Sequence, residues 1–116
     1  MIAVTALAGG LGAVVRWLVT RGLSHRMPPW LATGLINVAG AGTLGVVFGA
    51  GVEGWVGAAA LGLLSGFTTF STWMAEALGL WPASPGRVRP LIVAVPLALG
   101  LAAGAAGLAV GGWLAA

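Results

Sequence analysis

Cysteine is absent from this 116-residue chain, which excludes disulfides and thiolate metal sites, and a single histidine, His25, excludes a histidine cluster. Lysine is absent as well. The net charge of +3 is five arginines set against two glutamates, too few and too scattered to form a basic face for nucleic acid. Charge of either sign is scarce, at 6% of residues against roughly 25% in soluble domains. With 59% of residues hydrophobic, the composition places the chain in lipid as one unit, residues 1–116, without a soluble module.

Four apolar runs fill that unit, and the reading is an all-α membrane protein with transmembrane helices over about residues 2–20, 30–51, 55–80 and 90–115. Each can cross a hydrocarbon core of about 30 Å, which takes about 20 helical residues. The first run lacks a basic leader and carries Arg16 and Arg21 near its far end, so it is expected to stay as a helix and not to be a signal peptide. Trp17, Trp30, Trp55, Trp81 and Trp113 fall near span ends, where an indole sits well at headgroup level. Gly45/Gly49, Gly62/Gly66 and Gly100/Gly104 recur at four-residue spacing, which predicts close helix packing. The loops after helices 1 and 3 hold Arg21, Arg26, Arg87 and Arg89, and the opposite side holds no Arg or Lys. By the positive-inside rule, the arginine loops are expected in the cytoplasm and both termini outside.

Polar residues inside the spans carry the functional argument, because a polar group in hydrocarbon is costly and marks function when clustered. In helix 2, Asn37 offers an amide with two donors, and Gly40 opens space one turn away. In helix 3, Ser65-Gly66-Phe67-Thr68-Thr69-Phe70-Ser71-Thr72-Trp73 sets five hydroxyls and three aromatics into nine residues. Ser and Thr compete with the helix for its own carbonyls, so this stretch predicts a broken third helix at membrane depth, with freed carbonyls for a small cation and freed donors for an anion. The plainer alternative is a continuous helix whose hydroxyls bond the preceding turn. No carboxylate lies near the middle of a span: Glu53 is in a loop and Glu76 lies toward the end of helix 3. A path of hydroxyls, an amide and positive aromatic edges suits a small anion better than a proton-coupled cation.

The segments Gly9-Gly10-Leu11-Gly12-Ala13-Val14-Val15-Arg16-Trp17, Asn37-Val38-Ala39-Gly40 and Gly62-Leu63-Leu64-Ser65-Gly66-Phe67-Thr68-Thr69-Phe70-Ser71-Thr72 resemble the CrcB/Fluc fluoride channels in order, spacing and chain length. The resemblance implies an antiparallel dimer of four-helix subunits in a prokaryotic inner membrane. It further implies two fluoride paths and a structural Na+ held at the dimer centre by carbonyls of the broken third helix. Carried over by position, Asn37 is the pore amide, Phe70 the first aromatic whose ring edge faces fluoride, and Ser71 part of the polar track with its neighbour Thr69. Ser65 and Thr68 match the positions whose carbonyls hold the sodium. Arg16 matches an arginine facing a vestibule, where its charge would draw anions; the alternative for it is snorkelling to the interface.

The chain departs from the family pattern in four places. Trp73 stands where the second aromatic of the pair is usually Phe, Ser65 where glycine is expected, and Met74 where a polar-track serine is common. Helix 4, residues 90–116, contains no Ser, Thr, Tyr or Asn. A homodimer would therefore have two paths without a polar lining from helix 4. Four arginines against none should also fix one orientation, whereas an antiparallel homodimer needs both. Both features point to pairing with a related chain of opposite topology. The rival readings are weaker: a small multidrug transporter needs a carboxylate in helix 1, which this chain lacks. A purely structural subunit does not need the Thr68–Trp73 cluster, and an enzyme would need a base or metal near the buried hydroxyls, whereas His25 lies in a loop.

Overall fold

The computed structural model describes residues 1–68 and 89–116, and among these residues there are four helices: α1 (Ile2–Leu23), α2 (Pro29–Gly49), α3 (Gly54–Phe67) and α4 (Arg89–Ala115). Three apolar stretches, Ile2–Leu23, Pro29–Gly49 and Ala94–Ala115, are long enough to cross a membrane. The long axis measures 45 Å, which matches a bilayer with its headgroups, about 40–45 Å. Large apolar side chains such as Leu7, Leu18, Leu101 and Leu114 stand exposed along the helices, which lipid tolerates and water does not.

Local chemistry sets the helix ends. At the end of α1 the Ser24 amide bonds the Thr20 carbonyl, and its hydroxyl donates to the Arg21 carbonyl at 2.7 Å. Arg21 complements the negative end of the helix dipole and lies 5.2 Å over the ring of Trp17, one turn back. Pro28 is held extended by the proline after it (ψ 149°), and Pro29 then opens α2 at a position where its missing N–H costs nothing. Gly51 and Gly54 turn the chain from α2 to α3 with φ of 66° and 67°, a region side chains disfavour.

α3 has 14 residues and rises only about 21 Å at 1.5 Å per residue. It stops at Phe67, and Thr68 is extended (φ −80°, ψ 156°). The Thr68 amide donates to the Leu64 carbonyl at 3.0 Å, while its hydroxyl donates to the carbonyls of Leu64 and Ser65 at 3.2 and 3.3 Å. The hydroxyl thus takes up carbonyls at the helix end. The span expected over 55–80 is helical as far as Phe67, and its remainder lies outside the described residues.

The helices pack in two main pairs, α1 with α3 and α2 with α4, joined where α2 meets α3. Glycine makes both pairs close. A β-carbon on Gly12 would run into the Leu63 carbonyl, one on Gly62 into that of Thr5 and one on Gly66 into that of Gly9. Thr5 adds a cross-link, its hydroxyl donating to Ala58 O at 3.3 Å. Between α2 and α4, Gly45 and Gly49 sit against the carbonyls of Gly104 and Leu108. On α4 the tight positions are Gly107 and Gly111, whereas Gly100 has open space around it and Gly104 contributes its carbonyl. The four-residue spacing is as expected, but the crossing with α2 falls about two turns further along α4 than the pair Gly100/Gly104.

Candidate functional site where three helices meet

Thr68 is the junction of α1, α2 and α3. Its carbonyl accepts a hydrogen bond from Arg16 Nη1 of α1 at 3.2 Å. Its methyl is seated against Gly40 of α2, where a β-carbon would overlap Thr68 Cγ2 and come within 3.6 Å of Phe67 Cδ1. Gly40 is buried, and that bare patch of α2 is what lets the end of α3 approach. Arg16 and Thr68 are 52 residues apart in sequence and half-buried. The arginine's guanidinium therefore reaches across to α3, and the charge lies beside a carbonyl at a helix end, where a cation is favoured.

Asn37 lies on α2 one turn before Gly40 and one turn after Thr33. Thr33 is buried at 3% exposure, Asn37 is half-buried, and each is engaged by a partner. A buried hydroxyl and a half-buried amide thus share the stretch of α2 that leads to the Gly40 contact. Ser65 is exposed, and its carbonyl accepts the Thr68 hydroxyl. Thr69, Phe70, Ser71 and Trp73 lie outside the described residues. Arg16, Thr68 and Gly40 are therefore brought together, with Asn37 one turn away, and Ser65 stands one helical turn before Thr68. Among the described residues no group of His, Cys, Asp or Glu could hold a metal, and α1, α2 and α3 contain no carboxylate. Among the described residues, the oxygen groups at the end of α3 are neutral carbonyls and the hydroxyls of Ser65 and Thr68, hard ligands and not those of a transition-metal site.

Sequence reasoning missed two features. Gly40 was read as space beside Asn37, while its actual occupant is Thr68. Trp30, expected as an interfacial anchor like the exposed Trp17, Trp55 and Trp113, turns toward a cavity of about 310 Å³ between α2 and α4. Val38, Pro96 and Leu99 line the same cavity, and the buried indole Nε1 has no hydrogen-bond partner among the described residues. On this wall Gly34 packs closely on Pro96, where a β-carbon would lie 3.2 Å from the ring. The cavity is walled by carbon and offers no seat for an anion.

The family model described as CrcB-like protein, Camphor Resistance (CrcB), matches residues 3–108, which include Arg16, Asn37, Gly40 and Thr68. A protein of Rubrobacter xylanophilus named Fluoride-specific ion channel FluC 1 is 38% identical over 118 residues, covering 98% of this chain and 95% of its own length. One of Rhodospirillum centenum named Fluoride-specific ion channel FluC is 44% identical over 82 residues, covering 63% of this chain and 64% of its own length. One of Rhodococcus jostii named Fluoride-specific ion channel FluC 2 is 38% identical over 104 residues, covering 88% of this chain and 90% of its own length. No solved structure matches the chain. With its apolar helices and a family match along nearly its whole length, this chain is a multi-pass membrane protein and belongs to the CrcB-like family.

Proposed function

We propose that the chain is a subunit of a fluoride-selective channel that lets fluoride leave the cell passively. The observation that carries this reading is the match to a protein named as a fluoride-specific ion channel over 98% of the chain. The meeting of Arg16, Gly40 and Thr68 near Asn37 supports it. Neutral HF crosses a bilayer, loses its proton in the more alkaline cytoplasm and leaves fluoride trapped by its charge. A cell interior that is electrically negative then drives the anion out once a path exists, so neither ATP nor a proton relay is needed. The absence of carboxylates from α1, α2 and α3 agrees with that.

In this reading the third span is broken after Phe67, and the path runs past the Asn37 amide, the hydroxyls of Thr69 and Ser71, and the ring edges of Phe70 and Trp73. Each presents a donor or an electropositive rim to the anion as its water is stripped. Arg16 supplies a fixed positive charge beside that path. The assembly is an antiparallel dimer in a prokaryotic inner membrane, with arginine loops cytoplasmic and both termini outside. A structural Na+ would be held at its centre by the Ser65 and Thr68 carbonyls. Two neutral oxygens per chain, doubled by a second subunit, fit such an ion, which would stabilise the junction by countering the carbonyl dipoles.

Two observations favour pairing with a related chain of opposite topology. One is the arginine asymmetry, with Arg21, Arg26, Arg87 and Arg89 on one side; the other is the lack of any hydroxyl or amide in residues 90–116. Relatives numbered 1 and 2 fit organisms that carry more than one such chain. In that assembly this chain conducts little alone, and the partner supplies the missing polar residues. The test is rescue of bacteria lacking their own fluoride export: growth in fluoride restored by this chain, alone or with a related one, supports the channel. Growth restored by neither removes it.

A further inference from the structure

Two cations have a claim on one oxygen. The Thr68 carbonyl accepts Arg16 Nη1 at 3.2 Å, and in the sodium reading proposed above the same carbonyl is a ligand of the ion. The guanidinium brings a positive charge to that oxygen. It is half-buried, so water screens it poorly, and α1, α2 and α3 carry no carboxylate to neutralise it.

The end of α3 also has partners without any ion. Leu64 O accepts the Thr68 amide and hydroxyl, Ser65 O accepts the same hydroxyl, and Thr68 O accepts the arginine. Gly40 holds the Thr68 side chain in this setting, because turning its methyl away would swing the hydroxyl off both carbonyls. Thr68 O keeps a second lone pair, so a sodium ion bound there would sit beside the guanidinium.

We infer that Arg16 caps the carbonyl end of α3 as the chain's own cation and opposes sodium there, so that the arginine sets how tightly sodium is held. This rests on the sodium reading. It gives Arg16 a positioning role at the junction that is separate from drawing anions into a vestibule. A like charge within about 4–6 Å shifts an ionic equilibrium by about one to three powers of ten, so removing the guanidinium should tighten sodium at least about tenfold.

The experiment titrates sodium against choline at constant ionic strength on the full-length protein purified in detergent. The sodium midpoint is read from the rise in unfolding temperature by mass action. Arg16→Gln keeps a donor but removes the charge, and Arg16→Lys keeps the charge. The inference predicts a midpoint at least about tenfold lower for R16Q and one within about threefold of the unaltered protein for R16K. Equal midpoints in all three, or an R16K as tight as R16Q, overturn the opposition while leaving the sodium site in place. No sodium response in any of them overturns both this inference and the sodium reading. Fluoride efflux from the same preparations reports on the channel reading separately. If R16Q does not assemble, sodium added to the unaltered protein should selectively move the Arg16 side-chain ¹⁵N resonances, assigned by their loss in R16K. Resonances unmoved by sodium overturn the inference.

Discussion

Replacing Gly40 by Ala tests the junction at its tightest point. The new β-carbon would overlap the Thr68 methyl and lie 3.6 Å from the Phe67 ring, so the end of α3 must retreat or Thr68 must rotate. Rotation swings the hydroxyl, whose one proton is shared between Leu64 O and Ser65 O, off both carbonyls, at a cost of about 0.5–1.5 kcal/mol. Retreat is overpacking, which costs about 1–3 kcal/mol. Alanine recovers at most about 1 kcal/mol as the better helix former. The net expectation is a loss of up to about 2 kcal/mol in stability, with fluoride flux reduced because the Arg16 contact moves with Thr68. Thr68→Ser removes the obstructing methyl and keeps the hydroxyl. In the T68S background, G40A should therefore cost about 1–2 kcal/mol less, measured as the coupling in a double-mutant cycle of thermal unfolding in detergent, with flux in liposomes as a second reading. Additive effects of the two substitutions would refute the contact and with it the geometry of the junction.

Gly62→Ala should cost more than Gly40→Ala, about 3 kcal/mol or above, because its β-carbon meets the Thr5 backbone carbonyl and no rotamer relieves that; Gly22→Ala, with open space around it, should stay within about 0.5 kcal/mol. Recovery of monodisperse protein by size exclusion distinguishes the two. Because the chain has no cysteine, Ser24→Cys and Val52→Cys give clean topology probes: a membrane-impermeant maleimide should label the first only from the cytoplasmic side and the second only from outside. Labelling of each from both sides would remove the fixed orientation and the case for an obligatory related partner. Asn37→Ala should lower fluoride flux at least about tenfold while the protein is still recovered, the scale expected when a polar group is left unpaired; unchanged flux would take Asn37 out of the path.

Much of this architecture is legible in the sequence because a membrane imposes simple demands. Apolar runs of span length, prolines at Pro28 and Pro29 and the glycines of the Gly51–Gly54 turn mark α1, α2 and the start of α3 within a few residues. The stretch Ser65–Trp73 reads as a break in the third helix; α3 is helical as far as Phe67, and the stretch from residue 69 on lies outside the described residues. What joins these pieces was not legible. Arg16 reads equally well as a vestibule charge or a snorkelling side chain until α1 and α3 are seen to cross at Gly12 and Gly66, which brings it to Thr68. The spacing of Gly100/Gly104 is the same as that of Gly107/Gly111, and only the crossing point with α2 tells which pair is tight. Trp30 sits near a span end like the other tryptophans, and only the packing of α2 on α4 shows that it lines the cavity between them.

The most direct test of the account is fluoride and chloride efflux from liposomes carrying this purified chain, alone and with a related chain, with sodium on both sides and a potassium ionophore setting the voltage. The account predicts passive efflux that is selective for fluoride, follows voltage without a proton gradient, and appears with the chain alone or once the related chain is added. Silence in both preparations, or chloride passing as readily as fluoride, would contradict it.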